Sequence, residues 1–233
     1  MKRALIALRL AALIAALPGS GCTSLLHSSV PPDQTYYLRA PVAAGGVPAD
    51  GRAAPGSDGA GEPAPGASLR VGHPLADPGL DSTHIMLVEA DHRMNFYAGS
   101  RWPAPVAEVI EALALQTLRA SDAWTSVEDS ASPFPSDYLL QIAVRRFEAD
   151  YTTGGTVPEV HVTLDCILGR REGRDVVASF VASGTALPSA NRLSSVVGAF
   201  EQATGLALTA LSQQAAQVVR SAPPAASTSG VSR

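Results

Sequence analysis

From residue 69 onward the apolar side chains keep two rhythms, one of period two and one of period 3.6, and their order along the chain predicts a layered domain. Leu69-Arg70-Val71 and residues 85–89 read as strands, with Pro74, Pro78 and Gly79 marking the loop between them. Residues 93–97 pair back on the second strand through a turn near Asp91. Residues 103–120 then change to helical spacing: Val106, Ile110, Leu113 and Thr117 line one stripe, with Val109 and Leu118 beside it. Pro103 and Pro105 suit a first turn, where a missing N–H leaves nothing unbonded, and Glu108 and Glu111 fall near the positive end of the helix dipole.

A short strand at residues 124–128 precedes three long ones. Residues 138–151 alternate through Leu140, Ile142 and Val144 and lose phase at Arg145-Arg146 before Phe147, which predicts a bulge. Residues 157–168 alternate cleanly, with Val160, Val162, Leu164, Cys166 and Leu168 on one face and His161, Thr163 and Asp165 on the other, the pattern of a sheet with one wet face. Residues 175–187 form the third, joined to the second through Glu172-Gly173, so that the three make an antiparallel meander. A long helix follows Pro188, its stripe made of Leu193, Val196, Val197, Phe200, Thr204, Ala207, Leu208, Leu211 and Val218. Gly198 and Gly205 on this helix either sit against the sheet or admit a close partner. Strands, helix, strands and helix in that order give an α+β fold: a single domain with a mixed, largely antiparallel sheet and two helices packed on one face.

Ahead of this domain the chain has a different character. Met1-Lys2-Arg3 opens a basic patch, residues 4–17 are apolar apart from Arg9, and Pro18-Gly19-Ser20-Gly21 supplies small residues before Cys22, so residues 1–21 read as a signal peptide. The apolar run is shorter than the roughly 20 residues a membrane span needs. Ser20-Gly21-Cys22 resembles a bacterial lipobox, in which the cysteine is acylated and becomes the mature N-terminus; Gly19 stands where that motif usually has Leu. The alternative is an ordinary secreted chain cleaved near Gly21. Thr23 is not the Asp that commonly signals inner-membrane retention, which favours the outer membrane. Several acyl chains on Cys22 would hold firmly, at about 0.8 kcal/mol per buried methylene. Residues 22–34 then form a polar, lipidated tether, and residues 35–40, containing Tyr36-Tyr37-Leu38, a short edge strand. Residues 41–68 are low in complexity, rich in Gly, Pro, Ala, Asp and Ser, and cannot bury enough surface to offset their ordering entropy, so disorder is expected there and again at residues 221–233. The folded domain is left as residues 69–220.

Charge and cysteine content narrow the classes of function. Removing Lys2, Arg3 and Arg9 from 17 basic residues leaves 14 against 21 acidic, a mature net charge of −7 that argues against nucleic acid and against a broad grip on anionic headgroups. Membrane affinity then falls to the lipid. With Cys22 acylated, Cys166 has no disulfide partner and reads as a small core residue. No chemistry-bearing motif emerges. Gly154-Gly155 lies in a turn without a phosphate-binding lysine, and neither Gly99-Ser100-Arg101 nor Ser183-Gly184 makes a nucleophile elbow. His27 lies in the tether, and His73, His84, His92 and His161 lack ligand spacing; His84 and His92, with Asp91 beside one of them, would meet only across a hairpin. Arg145-Arg146 and Arg170-Arg171-Arg174 are the basic clusters, explained by solvated strand ends and turns. No catalytic residue, cofactor or metal is called for.

One order of features does point to a family. The lipobox is followed by Tyr36-Tyr37-Leu38, then Leu69-Arg70-Val71, a proline-containing loop, a strand pair ending Asn95-Phe96-Tyr97, Arg101-Trp102, and a helix whose body is residues 109–118. This resembles the ABC-type transport auxiliary lipoproteins, small partners of MCE-type and paraquat-inducible lipid transport systems. The resemblance implies a periplasm-facing, non-catalytic adaptor, tied to the outer membrane by its lipid. Its partners would be an MCE-type substrate-binding protein, an ABC permease and an ATPase that move lipids or other hydrophobic compounds. Tyr36, Tyr37 and Trp102 are by resemblance family signature positions, serving either partner contact or core packing, and homo-oligomerisation by edge pairing is open. A structural or assembly lipoprotein of another envelope machine, such as a secretion apparatus, is the competing class.

Overall fold

A computed structural model describes residues 32–41 and 66–221 of the 233-residue chain. The expected signal peptide, Cys22 with all but the end of its tether, residues 42–65 of the expected insertion and residues 222–233 of the expected tail lie outside the described residues. The chain divides into two units, Met1–Pro32 and Asp33–Arg233, and every described element belongs to the second. Its strands are β1 (Gln34–Thr35), β2 (Ser68–Val71), β3 (Leu75–Ala76), β4 (His84–Val88), β5 (Met94–Arg101), β6 (Ser126–Glu128), β7 (Tyr138–Asp150), β8 (Glu159–Arg170) and β9 (Asp175–Ala186). The helices are α1 (Val106–Arg119), between β5 and β6, and α2 (Leu193–Ser221), after β9.

β7 is the spine. Along one edge it pairs antiparallel with β8 over its whole length, from Tyr138 opposite Arg170 to Asp150 opposite Glu159. Its other edge is taken in turn by three short parallel strands: β2 against Tyr138, Leu139 and Leu140, β3 against Ala143 and Val144, and β4 against Ala149 and Asp150. β6 extends the sheet beyond β2, β5 and β1 extend it beyond β4, and β9 extends it beyond β8. The long pairings are antiparallel and the parallel ones span two or three residues each, which is the mixed, largely antiparallel α+β sheet the sequence predicts.

The loss of phase in β7 is a bulge. Val144 faces Leu164 and Arg146 faces Thr163, so Arg145 is the extra residue and both halves of the strand turn their apolar side chains to the same side. Leu140, Val144, Phe147 and Ala149 are all 0% exposed. The Arg145 side chain, turned outward, bridges Asp77 and Asp165, each at 2.7 Å, and the Asp77 N–H donates to the Val144 carbonyl where the chain leaves β3.

Both helices lie on the apolar face. Phe200 of α2 meets Phe147 and Trp102 with ring centroids 5.1 and 5.3 Å apart, and Trp102 stands edge-on to Phe147 at 5.8 Å, a cluster of three rings at favourable spacings. α2 approaches β9 on small residues: Ala182 and Gly184 are buried against it, and a Cβ at Gly184 would overlap the carbonyl oxygen of Ala203 and lie 2.9 Å from the Ala207 nitrogen. Gly184 is thus the glycine on which helix and sheet close. Gly198 and Gly205 are not packed against the sheet: a Cβ at Gly198 would meet nothing within 4 Å, and one at Gly205 would meet only Pro41.

Several boundaries differ from expectation, and the loop expected between the first two strands contains β3 at Leu75–Ala76. The edge strand expected at residues 35–40 is confined to Gln34–Thr35, paired parallel with Ser100 and Arg101, because β5 ends at Arg101 and its chain turns inward at Trp102. β5 runs four residues past Tyr97, since its far end is held between β1 and His84. α1 starts at Val106 rather than Pro103; Pro105 caps it with extended backbone, and the Val106 N–H donates to the Ser82 carbonyl. β2 begins at Ser68, inside the expected insertion, because Ser68 and Asp137 clasp each other. The Asp137 carboxylate accepts from both the N–H and the hydroxyl of Ser68 at 2.7 Å, and the Asp137 N–H donates back to the Ser68 hydroxyl oxygen at 2.9 Å.

Two outcomes follow from these contacts. Gly184→Ala will destabilise the chain by about 1–3 kcal/mol, the usual cost of forcing a methyl into a filled core, read as a lower urea midpoint. A second change, Ala203→Gly, will not restore it, because the obstructing atoms are helix backbone. At Asp137 the hydrogen bonds from Ser68 hold the carboxyl below its ordinary range. A depressed carboxylate contributes stability above its unfolded-state pKa and loses it as pH falls through the folded value. The gap in urea midpoint between the wild type and Asp137→Asn will therefore be widest near neutral pH and shrink steadily below about pH 4.

Candidate functional site

Side chains able to do chemistry are present but dispersed. His73 Nδ1 lies 2.7 Å from Glu111, His84 stacks on Phe96 at 4.5 Å and accepts or donates to Ser82, and His161 lies 3.3 Å from Glu159. Among the described residues no three His, Cys, Asp or Glu side chains gather as a metal would require. His92 takes a left-handed φ of 65° in the β4–β5 turn, where it completes the reversal. Cys166 is buried on β8, and burial, with the negative charge of Asp165 beside it, pushes its thiol up to about 12, so it stays protonated and unreactive. The arginine pairs are occupied structurally: Arg145 as above, and Arg146 by Glu148 at 2.6 Å and Asp150 at 2.9 Å.

The arrangement that stands out is instead the seat of the N-terminal segment. After β1 the chain leaves the sheet and crosses to α2. The Tyr36 N–H donates to the Arg101 carbonyl at 2.9 Å and its hydroxyl to Gln34 at 2.7 Å. Leu38 is buried in the main core, and the Arg39 N–H donates to the Glu201 carboxylate at 3.1 Å. Pro41 then rests beside Gly205, where an added Cβ would lie 3.6 Å from the proline ring. Arg39, Pro41, Gly198, Glu201, Gly205 and Leu206 border a shallow groove of about 700 Å³ on the outer side of α2. The segment is therefore fixed by one sheet bond, one buried side chain and one helix-borne carboxylate.

The three residues singled out from sequence separate here. Tyr36 is half-buried against the core, whereas Tyr37 is 63% exposed with the Arg39 guanidinium 5.8 Å from its ring centre. Trp102 is 0% exposed between Phe147 and Phe200, the core-packing alternative of the two the sequence left open. Cys22 lies outside the described residues. Leu38 is named in the sequence only as part of the Tyr36-Tyr37-Leu38 strand, and Arg39 and Glu201 are not named there at all. An apolar residue straight after two tyrosines was a usable signal for Leu38, but nothing local links Arg39 to a glutamate 162 positions away.

No curated protein matches the chain. Among solved structures, a Xanthomonas campestris protein is similar at 28% identity with a TM-score of 0.62, covering 67% of this chain and 87% of its own. An uncharacterised protein at 13% identity has a TM-score of 0.53, covers 64% of this chain and 91% of its own, and shares the fold alone. The sequence model of a family described as ABC-type transport auxiliary lipoprotein component matches residues 51–216. That stretch takes in every strand from β2 to β9, all of α1 and most of α2, and the chain accordingly belongs to the ABC-type transport auxiliary lipoprotein family.

Proposed function

We propose that this chain is a non-catalytic, periplasm-facing lipoprotein held in the outer membrane by acylated Cys22, and that it serves an MCE-linked ABC system moving lipids or other hydrophobic compounds between membranes. The observation that carries the reading is the fastening of residues 36–41 to both the sheet and α2. A lipid tether is useful to a machine only if load on it reaches the folded body. Here it arrives at a buried leucine and a helix rather than at a loose end. From Cys22 to Gln34 the chain spans at most about 40 Å when extended, so the body works close to the membrane that holds it. Energy for transport would come from the partner ATPase, since the sequence has no nucleotide-binding loop of its own. The partners in this reading are an MCE-type substrate-binding protein, a permease and that ATPase, with Tyr37 as the exposed aromatic contact beside the tether.

Capture of the tagged lipoprotein from crosslinked cells will recover those three partners, and Cys22→Ala will lose them. Recovery of a secretion or pilus apparatus with no transporter component would overturn the transport reading. The two aromatic positions will part company in the same assay. Tyr37→Ala will lower partner recovery several-fold while leaving stability within about 0.5 kcal/mol, as an exposed site does. Trp102→Ala will cost about 3–5 kcal/mol, as removal of a buried indole does, measured by denaturant titration.

A further inference from the structure

The face of the sheet turned away from the helices is not evenly polar. Leu75 of β3, Ile167 of β8, and Val176 and Val181 of β9 lie on it, between 40% and 71% exposed. They line two adjoining hollows of about 360 and 470 Å³ that share Gln141 and Ile167, and so form one groove over β7, β8 and β9. Strand register explains its depth. Gly169 lies between Leu139 and Val176 and has no side chain, while Ala143 lies between Leu75 and Asp165 and has only a methyl. The floor is therefore low at both ends, beside taller apolar side chains. Single exposed apolar residues are ordinary on a protein surface, but four along one concave strip present a site for an apolar ligand.

Charge differs between the two ends. At one, Arg145 is neutralised by Asp77 and Asp165. At the other, the β8–β9 turn sets Arg170, Arg171, Arg174 and Asp175 on the wall of the groove. Asp175, the only carboxylate among these four, is paired with Arg170 at 3.9 Å. Arg171 and Arg174 make no ion pair among the described residues. Two further acids lie close by, Glu172 in the same turn and Asp137, but neither lines the groove. The Asp137 carboxylate is occupied by Ser68, and its backbone carbonyl accepts from the Arg171 N–H. Two guanidiniums thus face the apolar floor from one end, each a planar fork of donors suited to phosphate or carboxylate oxygens.

An apolar strip with cations at one end selects its occupant. A net charge of −4 repels an anionic membrane surface as a whole, and a flat bilayer does not reach the floor of a hollow. A single molecule with an apolar chain and an anionic head satisfies both parts. From Arg171 to Asp165 the strand runs about 20 Å, at about 3.3 Å per residue, which gives an extended acyl chain room to lie along β8. We propose that the outer face of β7, β8 and β9 binds one anionic lipid molecule, its acyl chain laid over Ile167 and Val181 and its phosphate or carboxylate held by Arg171 and Arg174. The proposal rests on this groove and not on the transport reading.

The test keeps the full-length lipoprotein in vesicles of net-neutral phosphatidylcholine and adds traces of lysophosphatidylglycerol with a photoactivatable acyl chain. The expected result is saturable labelling within residues 139–145 and 165–181, about tenfold above that from the matching lysophosphatidylcholine, as charge-assisted hydrogen bonds to the head imply. The double variant Arg171→Gln, Arg174→Gln should bring the two lipids level. Ile167→Ser with Val181→Ser should lower labelling by both, with circular dichroism as in the wild type throughout. Should either pair fail to fold, competition on the wild type decides: unlabelled lysophosphatidylglycerol should abolish labelling, and glycerol phosphate, the head without the chain, should not. Equal labelling of the wild type by the two lipids, displacement by glycerol phosphate alone, labelling that does not saturate or falls on other residues, or arginine variants that keep the preference would each overturn the proposal. Loss of the transporter partners in the capture experiment would leave it untouched.

Discussion

Everything in this domain hangs on the phase of β7. The strand carries apolar residues at even positions up to Val144 and at odd positions from Phe147, a sequence that no uninterrupted strand can turn to one face. One extra residue at Arg145 reconciles the halves. Its first half then supplies Leu140, Ile142 and Val144 to the core, and its second half brings Phe147 against Trp102 and Phe200. The displaced Arg145 side chain is used as well, holding the departing chain after β3 to β8 through Asp77 and Asp165. All three residues of that bridge are largely exposed, so the pairs contribute little in themselves. Their effect is on the path of the loop, which must leave β3 and return as β4 on the same edge of β7.

With β7 in phase, α2 becomes the element that joins the parts. It closes on β9 through Gly184, fills the core through Phe200, and on its outer side receives the N-terminal segment through Glu201 and Gly205. The N-terminal segment and β9 are thus both held by one 29-residue helix. Among the described residues polar side chains pair in twos and threes, with Tyr97 and Tyr151 sharing a hydroxyl contact at 3.0 Å and Tyr151 donating to Asn191. Burial and the Tyr151 hydroxyl both raise the Tyr97 phenol, so Tyr97 stays neutral.

Periodicity and turn chemistry determined the elements other than β3, the α+β class, the bulge and the inward face of each helix, because those are local properties written in side-chain spacing. The β7–β8–β9 meander was legible for the same reason, since hairpin partners lie close in sequence. The parallel pairing of β2, β3 and β4 with β7 was not, because each joins residues more than sixty positions apart and leaves no local mark. Tertiary structure alone decided which aromatic was core and which was surface. Tyr37 and Trp102 look alike in a sequence, but the chain turns inward at the end of β5 and outward after β1. It also decided that Gly184, rather than Gly198 or Gly205, carries the helix–sheet contact, and that Leu38 and Arg39 fasten the tether. A close approach between two backbones, and a bond across 162 residues, exist only once the layers have packed.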